Sequence, residues 1–291
     1  MKHNGTEWAP LVERVAEIAR CTGSFLREER LVFDVGRVEE KNLHDYVSYV
    51  DRASERRLVE ALTPVLPGAG FLTEEATVAY KEEEYVWIID PLDGTTNYVH
   101  GQPPYAVSIA LYGRTEGVLV GVVYDPCREE CYTAWKGGGA YLQGKPIAPS
   151  AVRTVEGAYL HLGLPYDAVR FGTLSTALLS RFYGRAGGVR IAGSAALDLC
   201  GVAAGRVDAY VEPSLHVWDV AAGLLILREA GGRATDFAGH PLLETSEGES
   251  VLPSDGYDVV AANVSLHPEF LCQVKACRKV YFGGNIPHNI V

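Results

Sequence analysis

The segment Trp87-Ile-Ile-Asp90-Pro-Leu-Asp93-Gly94-Thr95-Thr96-Asn97 constrains the fold more than any other stretch of the chain. Tyr85 to Ile89 is a short, almost continuous apolar run, which predicts a buried strand. Asp90-Pro91 predicts its end, because proline has no N–H to give to a sheet ladder. Gly94 then allows a sharp turn that brings Asp93 back beside Asp90. Two neighbouring carboxylates repel, and holding both ionised requires a cation between them. Their hard oxygens suit Mg²⁺, and the Leu92 carbonyl is a further candidate ligand. Thr95, Thr96 and the N–H groups that follow are placed to open a helix, whose positive end suits phosphate.

Two other acidic spots are candidates to complete such a site. Glu74-Glu75 follows the apolar Phe71-Leu72 at another expected strand end. Asp219 opens Val217-Trp-Asp-Val-Ala-Ala-Gly-Leu-Leu-Ile-Leu227, in which every other residue is nonpolar. A charge there is costly unless it is paired or coordinated.

The remaining pattern predicts alternating helices and strands. Leu11 to Leu26 reads as an amphipathic helix and Val38 to Asp51 as a loop. Asp51 is placed to cap a helix that runs through Leu66 to Pro67-Gly68. Ala106 to Leu142 predicts an antiparallel meander, broken at Gly113, Asp125-Pro126 and Gly137-Gly138-Gly139. Beyond it the reading is a strand near Ala158, helices Thr173–Phe182 and Ala195–Ala204, a strand Val207–Val211, a helix Val217–Glu229 and a strand near Arg233. Asp258–Ala262 and Ser265–Cys277 supply a last strand and helix. The expected class is a layered α+β or α/β fold, a single unit of residues 1–291 softly divided near 150 into halves 1–150 and 151–291, where Pro146 and Pro149 lie.

Charge and cysteine usage narrow the function classes. With 37 acidic and 26 basic residues among 291, the net charge of −11 argues against binding nucleic acid through a basic face and suits a collector of divalent cations. The longest unbroken apolar or glycine runs, Gly117–Tyr124 and Val220–Leu227, fall short of the roughly 18–20 residues of a membrane span. Met1 to Pro10 lacks the layout of a signal peptide. The six cysteines include no Cys-x-x-Cys pair and read as thiols of a reducing cytoplasm.

Taken in order, these motifs resemble the inositol monophosphatase family, Mg²⁺-dependent, lithium-sensitive sugar phosphatases. Asp90-Pro-Leu-Asp-Gly-Thr-Thr-Asn-Tyr-Val-His100 matches the first signature, and Trp218-Asp-Val-Ala-Ala-Gly223 running into Glu229-Ala-Gly-Gly232 matches the second. Between them stand Gly193-Ser-Ala-Ala-Leu-Asp198 and Gly205-Arg-Val-Asp-Ala-Tyr210; upstream, His44-Asp45-Tyr-Val-Ser-Tyr-Val-Asp51 resembles the loop before the first helix of the site. The similarity covers about residues 10 to 275.

The resemblance implies a fold of alternating helix and sheet layers (αβαβα), a homodimer, and hydrolysis of a small phosphorylated polyol with two or three Mg²⁺ ions. It implies metal ligation by Glu74, Asp90, Asp93, Asp219 and the Leu92 carbonyl. Thr95 would help Glu74 to activate the attacking water, Asp51 would order its surroundings, and Asp93, Gly94 and Thr95 would meet the substrate's phosphate. Glu212, seven residues before Asp219, would bind ring hydroxyls, and Ala195 would line the same pocket.

The chain departs from the family in Thr73, where many relatives have glycine, and in Tyr98, where phenylalanine is common. Lys41, His100 and His216 read as surface or packing residues, and Tyr281 to Val291 matches no motif. An aspartyl-phosphate phosphatase of the haloacid dehalogenase type is disfavoured, since its carboxylates flank one residue and those here flank two. Alternatives within the fold are fructose 1,6-bisphosphate, 3′-phosphoadenosine 5′-phosphate, histidinol phosphate and NADP as substrates. A non-catalytic metal-binding interaction protein is the remote one.

Overall fold

The computed structural model describes residues 8–34, 36, 38–42, 45–243 and 256–281. The side chains of Lys41 and Asp45, residues 43–44 and the tail 282–291 lie outside the described residues.

Strand β4 (Tyr85–Asp93) shows how one sequence serves two cores. Alternate side chains of a strand point to opposite faces. Trp87 and Ile89 face helices α1 (Ala9–Leu31) and α2 (Tyr49–Leu62), whereas Val86 and Ile88 face α5 (Ala195–Ala203) and α6 (Val217–Glu229). Both faces are therefore covered, which is why the run reads as continuously apolar. β4 lies in a seven-stranded sheet with β3 (Gly70–Thr73), β5 (Ala106–Gly113), β6 (Gly117–Asp125), β7 (Glu130–Trp135), β8 (Gly139–Leu142) and β9 (Lys145–Pro146), in that order. β3 is parallel to β4, and the rest form the expected antiparallel meander.

A second sheet has the order β11 (Gly188–Arg190), β10 (Tyr159–Leu162), β12 (Ala209–Leu215), β14 (Tyr257–Asn263), β13 (Gly232–Thr235). Helices α5 and α6 are sandwiched between the sheets; α6 is buried from Val220 to Leu227, as a helix apolar on every side must be. α4 (Ala168–Phe182) and α7 (His267–Tyr281) cover the outer face through Phe171, Leu174, Phe270 and Val274. The layers run helix, sheet, helix, sheet, helix, as expected.

Several boundaries differ from the sequence reading. Val38 to Asp51 is not a loop: β1 (Val38–Asn42) and β2 (Asp45–Ser48) pair antiparallel before α2 begins. Asp51 is not the cap of α2. Ser48 is, accepting Val50 N at 3.1 Å, while Asp51 sits in the first turn and accepts Ser48 N at 2.8 Å. This reciprocal capping box satisfies donors that a helix start leaves open. α2 stops at Leu62 rather than Leu66, because Pro64 has no N–H for the next helical bond.

β4 does not end at Asp90 either. Asp90 pairs with Ser108 and Asp93 with Ala106, so one extra residue is accommodated as a bulge, the place where a sheet tolerates Pro91. Helix α4 starts at Ala168 instead of Thr173, because Asp167 caps it by accepting Arg170 N at 2.9 Å. β12 is shifted to Ala209–Leu215, and the short edge strand β11 was not expected. Among the described residues no helix is long and apolar enough to cross a membrane.

Candidate active site

The bulge in β4 sets the first two carboxylates. Asp90 turns back to accept Leu92 N at 2.9 Å, and both Asp90 and Asp93 are buried. Glu74 follows β3; its N–H continues the parallel ladder onto Ile89 O at 3.2 Å, which puts it beside the end of β4. Asp219 lies in the first turn of α6 and accepts His216 N at 2.7 Å.

Electrostatics shows that these four acids share one place. Burial pushes Asp90 well above the usual carboxylate range, and the side chains of Glu74, Asp93 and Asp219 push it further. Burial likewise raises Asp219, with Asp93 and Glu74 adding to the effect. Asp93 is pushed up to about 6 by burial, against hydrogen bonds from Ser194 and Ala196 that pull it down. Like charges gathered in a low-dielectric interior are held only by protons or by a cation.

Asp93 also ties the end of β4 to the start of α5. Its Oδ2 accepts Ser194 Oγ at 2.6 Å and Ala196 N at 2.8 Å, so it caps α5 from 103 residues away. Among the described residues no three acid, histidine or cysteine side chains stand close enough to form a ready-made metal cage. The set nevertheless fits a hard divalent cation: the donors are carboxylate oxygens and their mutual repulsion is what such an ion removes.

Gly94 adopts φ 92°, and a Cβ on it would stand 2.9 Å from Gly193 O and 3.0 Å from Pro104 O. Only glycine fits both the left-handed backbone and the close approach. The turn leads into α3 (Thr95–Val99), a single short helix. Thr95 Oγ1 lies 2.9 Å from Asp51 Oδ1 and 3.0 Å from Leu92 O. Burial raises the Asp51 carboxyl, while hydrogen bonds from Ser48 and Thr95 lower it.

Glu212, on β12, receives a hydrogen bond from Tyr210 Oη, and its side chain lies against Gly163, where any Cβ would collide with it. Burial pushes Glu212 up to about 8, helped by the charges of Asp198 and Asp93. Ala195 is buried in the first turn of α5, next to the residue that binds Asp93.

The sequence reading missed several residues of this neighbourhood. Ser48 was legible in Ser48-x-x-Asp51, a capping-box spacing. Tyr210 stands two residues before Glu212 on a strand, hence on the same face. Ser194 and Asp198 stand in the motif Gly193-Ser-Ala-Ala-Leu-Asp198, but their partners Asp93 and His161 (Nδ1 to Asp198 Oδ1, 2.5 Å), like the partners of Glu55, are too distant in sequence to leave a local signal.

Comparison with known proteins agrees with this fold. The family model described as "Inositol monophosphatase family" matches residues 8–279. The Nus factor SuhB of Pasteurella multocida is 38% identical over 271 residues, 92% of this chain and 97% of that protein. The crystal structure of the extragenic suppressor protein suhB of Bartonella henselae superposes with a TM-score of 0.80 at 33% identity, covering 92% of this chain and 99% of that one. An inositol monophosphatase from Anabaena superposes with a TM-score of 0.77 at 32% identity, covering 93% and 97%. A family match over residues 8–279, with a fold shared over nine-tenths of the chain, makes this chain a member of the inositol monophosphatase family.

Proposed function

We propose that the chain is a Mg²⁺-dependent phosphoric monoester hydrolase that converts myo-inositol monophosphate to inositol and phosphate. One observation carries this reading: Asp90 and Asp219, far apart in sequence, are both raised by burial and then by the charges of Glu74 and Asp93, so the four acids, spread over 146 positions, converge on one place beside the β4 bulge.

Glu74, Asp90, the Leu92 carbonyl, Asp93 and Asp219 are the groups that would hold two or three Mg²⁺ ions. Bound Mg²⁺ supplies Lewis acidity, polarising the phosphate and making water a stronger nucleophile. The remaining work falls to side chains. The Thr95 hydroxyl has one proton and, donating it to Asp51, keeps lone pairs to accept from the attacking water. Asp51, raised by burial, is a better proton store than an exposed aspartate, and Glu74 is the second acceptor. The Gly94 and Thr95 N–H groups orient the phosphate.

At the far end Glu212 and Ala195 meet the polyol. A carboxyl pushed up to about 8 is largely protonated at neutral pH, so Glu212 can both donate to and accept from ring hydroxyls. A second phosphate would favour a cation at that place, which ranks fructose 1,6-bisphosphate, 3′-phosphoadenosine 5′-phosphate and NADP lower, and histidinol phosphate offers no polyhydroxylated ring for Glu212 to bind. Residues 1–150 and 151–291 act as one catalytic unit, since Asp93 of the first half is held by Ser194 of the second. The open edge at β11, beside exposed Tyr159 and Ile191, supports a homodimer, and the lack of a spanning helix among the described residues suits a cytoplasmic enzyme.

A non-catalytic binding protein is the other reading, and the Nus-factor name of the Pasteurella relative lends it weight. The intact acid set favours turnover. Phosphate release with Mg²⁺ from inositol 1-phosphate, fructose 1,6-bisphosphate and 3′-phosphoadenosine 5′-phosphate separates these readings. Preference for the first is expected; preference for a bisphosphate moves the substrate, and no release from any supports the binding protein.

A further inference from the structure

Glu55 is a fully buried carboxylate on α2, and it faces residues on either side of Glu74. Its Oε1 accepts Thr73 Oγ1 at 2.9 Å, Thr77 N at 2.7 Å and Thr77 Oγ1 at 2.6 Å; its Oε2 accepts Glu75 N at 2.7 Å. A buried charge is tolerated only when it is satisfied in this way, and the donors are fixed in turn by the charge. Two of them are backbone N–H groups of the turn that follows β3. On the other side, that turn is tied to β4 through Glu74 N and Ile89 O.

From this we infer that Glu55 is a positioning residue for Glu74: it clamps residues 73–77 so that the Glu74 carboxylate stays beside Asp90. The inference rests on the phosphatase reading above, in which Glu74 is a metal ligand and a proton acceptor. It also gives Thr73 a purpose. Where glycine would leave the backbone bare, the buried threonine adds a side-chain donor to the clamp. Glutamine at 55 keeps the volume but turns an NH₂ group toward one of these donors, so the clamp loses part of its grip without leaving a cavity.

The test compares the parent chain with Glu55→Gln and, as a milder lesion of the same clamp, Thr73→Val. Mn²⁺ binding by calorimetry, amide exchange at Glu75 and Thr77, thermal midpoint, and the Mg²⁺ dependence of turnover on inositol 1-phosphate are measured on each. E55Q is expected to bind Mn²⁺ about tenfold more weakly or worse and to need correspondingly more Mg²⁺ for half-maximal rate. Exchange at Glu75 and Thr77 should quicken about tenfold. T73V is expected to weaken Mn²⁺ binding about threefold, and it decides the matter if E55Q does not fold. A folded E55Q with parental Mn²⁺ affinity, or a T73V with parental affinity when E55Q fails to fold, overturns the inference while leaving the phosphatase reading intact. A parent that neither binds Mn²⁺ nor releases phosphate overturns that reading, and the role of Glu55 with it.

Discussion

Asp51 and Thr95, 44 residues apart in sequence, meet through a 2.9 Å hydrogen bond between the first turn of α2 and the first residue of α3. Asp51 is itself fixed by Ser48, through the backbone N–H at 2.8 Å and the hydroxyl at 2.6 Å. The capping box that starts a helix thus also aims the carboxylate that orders a hydroxyl next to the Asp90–Asp93 bulge.

Replacing Thr95 by valine keeps the shape and removes the hydroxyl. The expected result is a fall in kcat of about 100-fold on inositol 1-phosphate, with KM changed little, because proton transfer is lost and binding is not. Steady-state kinetics checks this; a change confined to KM would place Thr95 in binding alone.

Removing the cap tests the link from stability to catalysis. Ser48→Ala is expected to cost about 1 kcal/mol of stability, read by urea unfolding, as loss of a helix cap does. It should also lower kcat, because Asp51 loses one of its two Ser48 donors. Full activity in a destabilised variant would separate the two roles of Asp51.

Asp93→Asn retains volume and can still accept from Ser194 and Ala196, but it loses the charge. Turnover should fall by about 1,000-fold or more while the circular dichroism spectrum and unfolding cooperativity stay parental. Residual activity within about tenfold of the parent would contradict its place among the acids that meet the ions.

Glu212→Gln should change selectivity more than maximal rate. KM for inositol 1-phosphate is expected to rise about tenfold, with kcat nearly unchanged and little effect on a phenyl phosphate that has no ring hydroxyls to bind. An equal loss of rate on both substrates would remove Glu212 from the polyol pocket.

The raised carboxyls also give a pH signature. Glu212 stands at about 8 in the folded chain, above its ordinary 4.5, so between these values the folded state binds more protons than the unfolded one. Stability of the metal-free protein therefore falls as pH rises through that window, by at most about 1.4 kcal/mol per pH unit for each such group. His267, buried and lowered from 6.5 to about 4, works in the opposite direction only below pH 6.5. Between pH 6.5 and 8 the thermal midpoint without metal should drop, and Mg²⁺ should raise it more at pH 8 than at pH 6.5. A midpoint that rises with pH in EDTA would contradict the burial of these acids.

Much of this was legible in the residues. The buried strand before Asp90, the antiparallel meander and the whole of α6 follow from apolar periodicity, because burial on both faces leaves a continuous apolar run. The first hairpin escaped notice because Val38–Asn42 is mostly polar, with no alternation to reveal a strand. The continuation of β4 through Pro91 depends on a bulge, which is a property of the pair of strands and not of one segment. Glu55 looks like an ordinary helix polar residue, and Ser194, though part of the motif at 193–198, gives no sign of its partner. Only the fold brings Glu55 to the turn after β3 and Ser194 to Asp93.

The most direct measurement follows phosphate release from inositol 1-phosphate by the parent chain, first in EDTA and then after Mg²⁺ is added in excess. Silence in EDTA and turnover restored by Mg²⁺ is the predicted result. Equal rates under both conditions, or none under either, would contradict a catalytic centre built from Glu74, Asp90, Asp93 and Asp219.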